Sequence, residues 1–510
     1  MARAIMLQGT SSHVGKSILT TALCRIFKQD GQRVTPFKAQ NMALNSYVTK
    51  TGGEMGRAQV AQAEAAGLDP AVEMNPVLLK PTGNACSQVI VMGKSVGNMS
   101  AKEYHSGYSL TALGVVTECI EKLHNDFDVI VIEGAGSPAE VNLKANDIVN
   151  MRVAKLAAAP VLLIADIDRG GALASVVGTL ELLEPDERDL VKGIIINKFR
   201  GDINLLKPAL DFLETKTGKP VVGVIPHLDR LGIDDEDSVS LEDKGQPAKN
   251  GDLDIAVLRL PKISNFTDFD AIAGETDVRL RYVRQGEAIG KPDLIILPGS
   301  KNTTEDLLYL RNNGYEQELI KLVKSGTPVV GICGGYQMLG REVQDPDHTE
   351  SDLDKVMGLG LIDSITVFVA DKVTHQVTAA ADNHKFLGIN FSGGNLTGYE
   401  IHMGRTQFLS PVDHAFSITT RSGEQVNMPD GAVSADGLVM GTYMHGIFDN
   451  DAYRRAVLDA LRVRKGLAPL GVVKDTQALK NAAYDRLAKV VRQNMNMDLV
   501  YRILNEATGS

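Results

Sequence analysis

Gly9-Thr-Ser-Ser-His-Val-Gly15-Lys16-Ser17 decides the fold of the first half of this chain. It follows the apolar run Ala4–Leu7 and opens the helical pattern Ile18–Phe27, so a glycine loop joins a buried strand to a helix. In that setting the backbone N–H groups and the helix N-terminus cradle phosphate, Lys16 reaches the outer phosphates, and the Ser17 hydroxyl can hold Mg²⁺. The spacing is unusual. Five residues separate Gly9 from Gly15, and Thr10 stands where the motif's usual first glycine would be. A turn that only joins strand to helix is the plainer alternative, and the Gly-Lys-Ser triplet at the helix start weighs against it.

Working outward, Val129–Ile132, Val161–Ala165 and Gly193–Asn197 are further short apolar runs, alternating with helical patterns. That alternation predicts a mostly parallel sheet covered on both faces. The acidic, polar stretch Asp234–Asp252 interrupts it. The strand pattern restarts at Ile255–Leu260 and continues with Leu294–Leu297 and Val329–Ile332, a second α/β unit. From Asp451 the sequence is helical and amphipathic. The expected division is therefore 1–233, a linker over 234–251, 252–450, and a helical C-terminal extension over 451–510 packed on one of the two domains. Both domains are expected to be three-layer α/β structures, which suits a chain of 510 residues.

A formal net charge of −10 argues against a general nucleic-acid binder, which needs concentrated Lys and Arg. Cys24, Cys86, Cys119 and Cys333 are scattered, giving neither a disulfide framework nor a zinc pattern. No run approaches the roughly 18 apolar residues of a membrane span, and the N-terminal residues lack the long apolar core of a signal peptide. A cytoplasmic protein without a membrane partner is expected. The possibility of a homo-oligomer is left open.

The first loop resembles that of dethiobiotin synthetase and its relatives, which activate a carboxylate with ATP. The resemblance implies ATP contacts from Gly9, Thr10, Gly15, Lys16 and Ser17. Phe37-Lys38-Ala-Gln-Asn41 lies where that group carries a second phosphate or substrate lysine. The strand Val129–Glu133 ends in an acid that, by resemblance, helps Ser17 hold Mg²⁺, and capping of the next turn is the alternative role for Glu133. Asn197, ending a strand before Lys198, matches an adenine contact in similar folds, or else belongs to an ordinary polar loop. Asp166–Gly171 is an acidic turn that either serves a ligand or only turns the chain.

In the second half, Gly331-Ile-Cys333-Gly334-Gly335-Tyr336-Gln337 has a small residue two places before the cysteine and glycine after it. This is a nucleophile elbow, where a helix N-terminus favours thiolate and the next N–H can bind an oxyanion. It resembles the class I glutamine amidotransferases, with Cys333 as nucleophile and Gln337 in the glutamine pocket. The strand Leu294–Leu297 runs into Gly299-Ser300, which by that resemblance supplies the second oxyanion donor beside Gly334. His445, in Thr442-Tyr443-Met444-His445-Gly446, is the candidate base. Many members place a glutamate two residues after this histidine, and here that residue is Ile447. A Cys–His dyad is expected, with a backbone carbonyl or another side chain orienting the ring. Glu400 and His402, in a family-like Tyr-Glu-Ile-His stretch, fit a mutual structural pairing equally well and are left out of the catalytic set.

An ATP site and a glutaminase site on one chain make sense together when a carboxylate must become an amide. The blocks FKAQNMALNS, NPVLLKP, EGAGSPAE, LPGSKNT and GICGGYQMLG together resemble the cobyrinate and cobyric acid synthase family over roughly residues 3 to 450. That resemblance implies L-glutamine as nitrogen donor and adenosylcobyrinic acid a,c-diamide as acceptor, amidated at its b, d, e and g side chains. Lys80, Lys94 and the loop 84–87 are candidate contacts for its carboxylates. The competing expectations are a regulatory ATPase, which leaves the Cys333 elbow unexplained, and another glutamine-dependent amide ligase, either a cobyrinate a,c-diamide synthase or a nucleotide synthetase. FKAQNMALNS favours cobyric acid synthesis among them.

Overall fold

The strand Arg3–Gly9 pairs in parallel with Val129–Glu133 on one side and Val161–Asp166 on the other. The sheet continues to Val34–Phe37 at one edge, and through Val191–Phe199 to Val221–Pro226 at the other. Successive side chains of a strand point to opposite faces. Ala4 and Met6 therefore join one apolar cluster and Ile5 and Leu7 another. Burial on both faces explains why these strands read as unbroken apolar runs.

The computed structural model describes residues 2–83, 86–228, 232–233, 251–381, 385–389, 391 and 394–506. The expected linker lies outside them except for Gly251, as do two residues of the loop 84–87. The described residues form two units, one holding 2–42, 55–233 and 477–506, the other Ala43–Glu54 and 251–476. The contiguous division expected from the sequence thus differs from the packing at two places. Ala43–Glu54 lies with the second unit, where Val48 packs with Tyr399 and Ile401. The C-terminal extension does not pack on one domain. The helix Asp451–Arg464 puts Tyr453, Val457 and Leu461 into the core of the second unit, whereas Leu487, Val491, Val500 and Ile503 join Ile5 and Leu23 in the first. Each helix follows its own apolar stripe to a different sheet face.

The second unit is built on the parallel strands Val278–Val283, Leu253–Leu258, Leu294–Leu297, Val329–Ile332 and Val439–Thr442, closed by the antiparallel Ala432–Val433. It also carries a largely antiparallel sheet around the long pair Ser364–Ala380 and Leu396–Phe408, which the sequence pattern did not announce. No helix among the described residues is long and apolar enough to cross a membrane.

Candidate active sites

In the first unit, register brings the phosphate-loop residues together. Leu7 pairs with Glu133 and Phe37 with Ile132, so Glu133 and Lys38 emerge at the same C-terminal sheet edge, beside the loop that follows Gly9. Gly15 caps the helix Lys16–Gln29 at φ 99°, a left-handed conformation that glycine adopts without a Cβ clash. A Cβ there would also lie 2.1 Å from Asn197 Nδ2.

Lys16 Nζ donates to Ser11 O and to Gly136 O, both at 3.0 Å, folded back over its own loop. The Ser17 hydroxyl donates to Glu133 Oε1 at 2.8 Å, and Lys38 Nζ meets the same oxygen at 2.9 Å. Gln62, on the helix Arg57–Ala66, donates to Glu133 Oε2 at 2.5 Å. Glu133 is 1% exposed, so its charge is held by Lys38 and two hydrogen bonds rather than by water. Nothing in the sequence marked Gln62. A hydroxyl and one carboxylate side by side fit Mg²⁺, which takes few protein oxygens and completes its shell with water and phosphate.

Asn197 Nδ2 donates to Val14 O at 2.8 Å, and Lys198 Nζ donates to His13 O and Asp166 Oδ2 at 2.8 and 2.9 Å. In this structure the Asn-Lys pair and Asp166 brace the phosphate loop from outside. A cavity of about 200 Å³ opens beside Gly136, lined among others by Gln40, Ser109, Ser137 and Glu140. Lys80 is buried in the strand Val77–Gly83, and Lys94 is exposed.

In the second unit, Val329–Ile332 pairs with Leu294–Leu297 on one side and Val439–Thr442 on the other. Cys333, Gly299-Ser300 and His445 therefore leave adjacent parallel strands at one edge. Cys333 has φ 50° and ψ −107°, the strained turn of a nucleophile elbow, at the start of the helix Gly334–Leu339. Its thiol donates to Ile401 O at 3.5 Å. Burial pushes up the thiols of Cys24 and Cys119, the latter to about 12, as suits inert core cysteines.

A Cβ on Gly334 would stand 2.8 Å from Ser300 N, so the two expected oxyanion donors adjoin. The Ser300 hydroxyl is committed elsewhere, donating to Asp306 Oδ2 at 2.6 Å and accepting from Asn302 N, so the backbone N–H is the group this residue can offer an oxyanion. Gln337 Oε1 accepts from the Thr303 hydroxyl at 2.8 Å.

His445 is fully buried, and the missing partner of its ring is here. Asp268 Oδ2 lies 2.6 Å from His445 Nδ1, and Asp268 Oδ1 accepts from Gly446 N at 3.1 Å. A side chain, not a backbone carbonyl, orients the ring. Burial opposes the imidazolium, but the Asp268 carboxylate and the adjacent Cys333 raise the His445 pKa above its ordinary value. Tyr399 is paired with His445 across the strands and stacks on its ring, with centroids 5.1 Å apart and planes 13° apart. Asn265 Nδ2 approaches His445 Nε2 at 3.5 Å. Asp268 sits in a single helical turn, Phe266–Phe269, with no motif around it. Glu400 binds Arg421 at 2.8 Å and stands 3.7 Å from His402, whose ring stacks on Tyr443.

Residues 5–240 match the CobQ/CobB/MinD/ParA nucleotide binding domain, and residues 254–453 match the CobB/CobQ-like glutamine amidotransferase domain. Over 510 residues the chain is 58% identical to a cobyric acid synthase of Pelotomaculum thermopropionicum, covering 99% of this chain and 97% of the relative. The chain belongs to the cobyric acid synthase family. It is also 56% identical to a cobyric acid synthase of Moorella thermoacetica, over 99% of this chain and 98% of that one. For the cobyric acid synthase of Desulforamulus reducens the identity is 54%, over 100% and 99% of the two chains. The family is one of ATP-dependent ligases with a glutamine amidotransferase domain, so both halves of the chain are accounted for.

Proposed function

We propose that this chain amidates the b, d, e and g carboxylates of adenosylcobyrinic acid a,c-diamide, using ATP and ammonia released from glutamine. The observation that carries the reading is the presence on one chain of a phosphate loop with Lys16, Ser17, Lys38 and Glu133, and of a buried Cys333–His445–Asp268 constellation.

In the glutaminase step Cys333 attacks the amide carbon of glutamine, and the oxyanion is met by the N–H groups of Gly334 and Ser300. Gln337 belongs to the glutamine pocket. His445 carries the proton of the thiol and delivers it to the departing nitrogen, giving NH₃ and a Cys333 thioester that water cleaves to glutamate. Asp268 keeps Nδ1 as the proton-bearing nitrogen and supports the imidazolium, which leaves Nε2 for the chemistry.

In the ligase step a substrate carboxylate oxygen attacks the γ-phosphorus of ATP, giving an acyl phosphate and ADP. Ammonia then attacks the acyl carbon and phosphate leaves. Lys16 and Lys38 stabilise the charge that builds on the transferring phosphoryl group. Ser17 and Glu133 would hold Mg²⁺, which supplies charge neutralisation on the phosphates. Gly9, Thr10 and Gly15 shape the loop, and Asn197 supports it near the base.

The test is a screen of corrinoid carboxylates and nucleotides for mass gain that requires both ATP and glutamine. Amidation of the corrinoid a,c-diamide is expected. Gain on a nucleotide with none on any corrinoid would overturn the reading.

A further inference from the structure

The segment that follows the FKAQN block does more than connect elements of the first unit. Ala43–Glu54 belongs to the unit that carries the candidate glutaminase, although Met42 and Met55 on either side belong to the other. Asn45 and Ser46 are fully buried there.

Their bonds lead to His445 by two routes. Asn45 Oδ1 accepts from Phe266 N at 3.1 Å. Phe266 opens the helical turn that carries Asp268, and the residue before it, Asn265, gives that turn no side-chain cap. The first N–H of the turn is therefore capped from Asn45 instead, which fixes the turn from outside it. Ser46 is gripped at both backbone groups. Its N–H donates to Asn265 Oδ1 at 3.0 Å, and its carbonyl accepts from the Tyr399 hydroxyl at 3.3 Å. Asn265 faces His445 Nε2, and Tyr399 stacks on the imidazole. Asn265 itself sits in the left-handed region at φ 52°, which asparagine adopts more readily than most residues. Tyr47 against Tyr399, with centroids 5.3 Å apart, and the bond from Gln376 to Val48 O anchor the rest of the segment.

We propose that Asn45 and Ser46 are positioning residues of the glutaminase, setting the imidazole of His445 through Asn265, Tyr399 and the Asp268 turn. The inference rests on the glutaminase reading of Cys333 and His445.

The experiment measures glutamate release and ammonia-supported amidation by the full-length chain and by Asn45→Ala, Asn265→Ala, their double variant and Tyr399→Phe. Asn45→Ala is expected to lower kcat for glutamate release roughly tenfold or more, the scale of a lost cap expressed on a barrier, with the KM for glutamine changed less than about threefold. Ammonia-supported amidation should stay within about twofold, since that step needs no imidazole. The double variant should lose clearly less than the product of the single losses, because both act through one ring. Tyr399→Phe keeps the stacked ring and removes the hydroxyl that bonds Ser46 O, so it reads the proposal even if an Asn45 variant does not fold. A fall of about threefold in its kcat supports the proposal. Unchanged kcat in Asn45→Ala and Tyr399→Phe, a loss confined to KM, equal loss with ammonia, or multiplicative losses in the double variant would each overturn it. A wild-type chain that releases glutamate but amidates no corrinoid would instead remove the substrate proposal, leaving this comparison legible in glutamate release.

Discussion

The two candidate sites each centre on a buried carboxylate, and the two carboxylates are held in opposite ways. Glu133 ends a strand inside a motif; strand register brings Lys38 to it, and the glycine loop and helix after Gly9 bring Ser17. Asp268 sits in an isolated turn, 177 residues from the histidine it orients. The first arrangement depends on sheet pairing that any correct fold of this sequence reproduces. The second depends on Asn45, Asn265 and the turn Phe266–Phe269 all being seated. One site is fixed by the sheet, the other by loops, and the loop-built site should be the easier to disable without touching the other.

The largest effect that sharpens this contrast comes from removing one functional group from each site, the Cys333 thiol and the Lys16 ammonium. Cys333→Ser should reduce glutamine-supported amidation by on the order of 10³-fold or more while ammonia-supported amidation stays near wild type, because the proposed mechanism uses the thiol in only one step. Lys16→Ala should reduce synthesis with either nitrogen donor by roughly 10²–10³-fold, the scale of one lost charge-stabilising group. Rates with glutamine and with added ammonium, measured on both variants, check the pair. Near-normal glutamine use by Cys333→Ser would break the division of labour.

Next in size is Asp268→Asn. It preserves shape and removes the charge that raises the His445 pKa, so glutamate release should fall by roughly 10²–10⁴-fold. The pH dependence carries a sign. In the proposed mechanism a protonated His445 delivers the proton to the leaving nitrogen, and Asp268 keeps that proton on to higher pH. Without the carboxylate the alkaline limb of kcat/KM for glutamate release should therefore move to lower pH. An unmoved limb would show that Asp268 does not set the charge of His445.

Smaller still is the effect of Ile447→Glu, which installs the acid that many glutamine amidotransferases place two residues after the histidine. Ile447 is fully buried among Val457, Phe448 and Tyr453. Asp268 already holds Nδ1, so the new carboxylate has no task and no water. Glutaminase activity should not rise, and stability to denaturant should drop by about 3 kcal/mol. A rise in glutamate release still coupled to amide formation would contradict the assignment of Asp268.

Much of this architecture was legible because its signals are local. The glycine loop, the run ending in Glu133 and the elbow at Cys333 each put strand, turn and reactive group within about a dozen consecutive residues, where strand period and turn chemistry act directly. Glu133 and Lys38 were each read only as the end of a separate strand, so their pairing stayed hidden, and Gln62 was not read at all, since a glutamine on an alanine-rich helix gives no pattern. Ile447 was read as a departure from the usual triad, and in the structure Asp268 holds the ring nitrogen instead. Its replacement stayed hidden because Asn265-Phe-Thr-Asp268 is an ordinary polar turn whose role arises only from tertiary placement. The same holds for Asn45 and Ser46, which read as part of a block in the first domain and pack in the second unit. The C-terminal helices were visible as amphipathic, but periodicity names the buried face, not the surface that buries it.

The central claim, one chain that moves glutamine nitrogen onto an ATP-activated corrinoid carboxylate, is tested most directly with glutamine labelled in its amide nitrogen. The wild-type chain, supplied with ATP and the corrinoid a,c-diamide and no added ammonium, should yield product whose new amides all carry the label, with ATP consumed in step, and Cys333→Ser should yield none. Labelled product from Cys333→Ser, or ATP consumption and glutamate release by the wild-type chain with no labelled amide on the corrinoid, would contradict it.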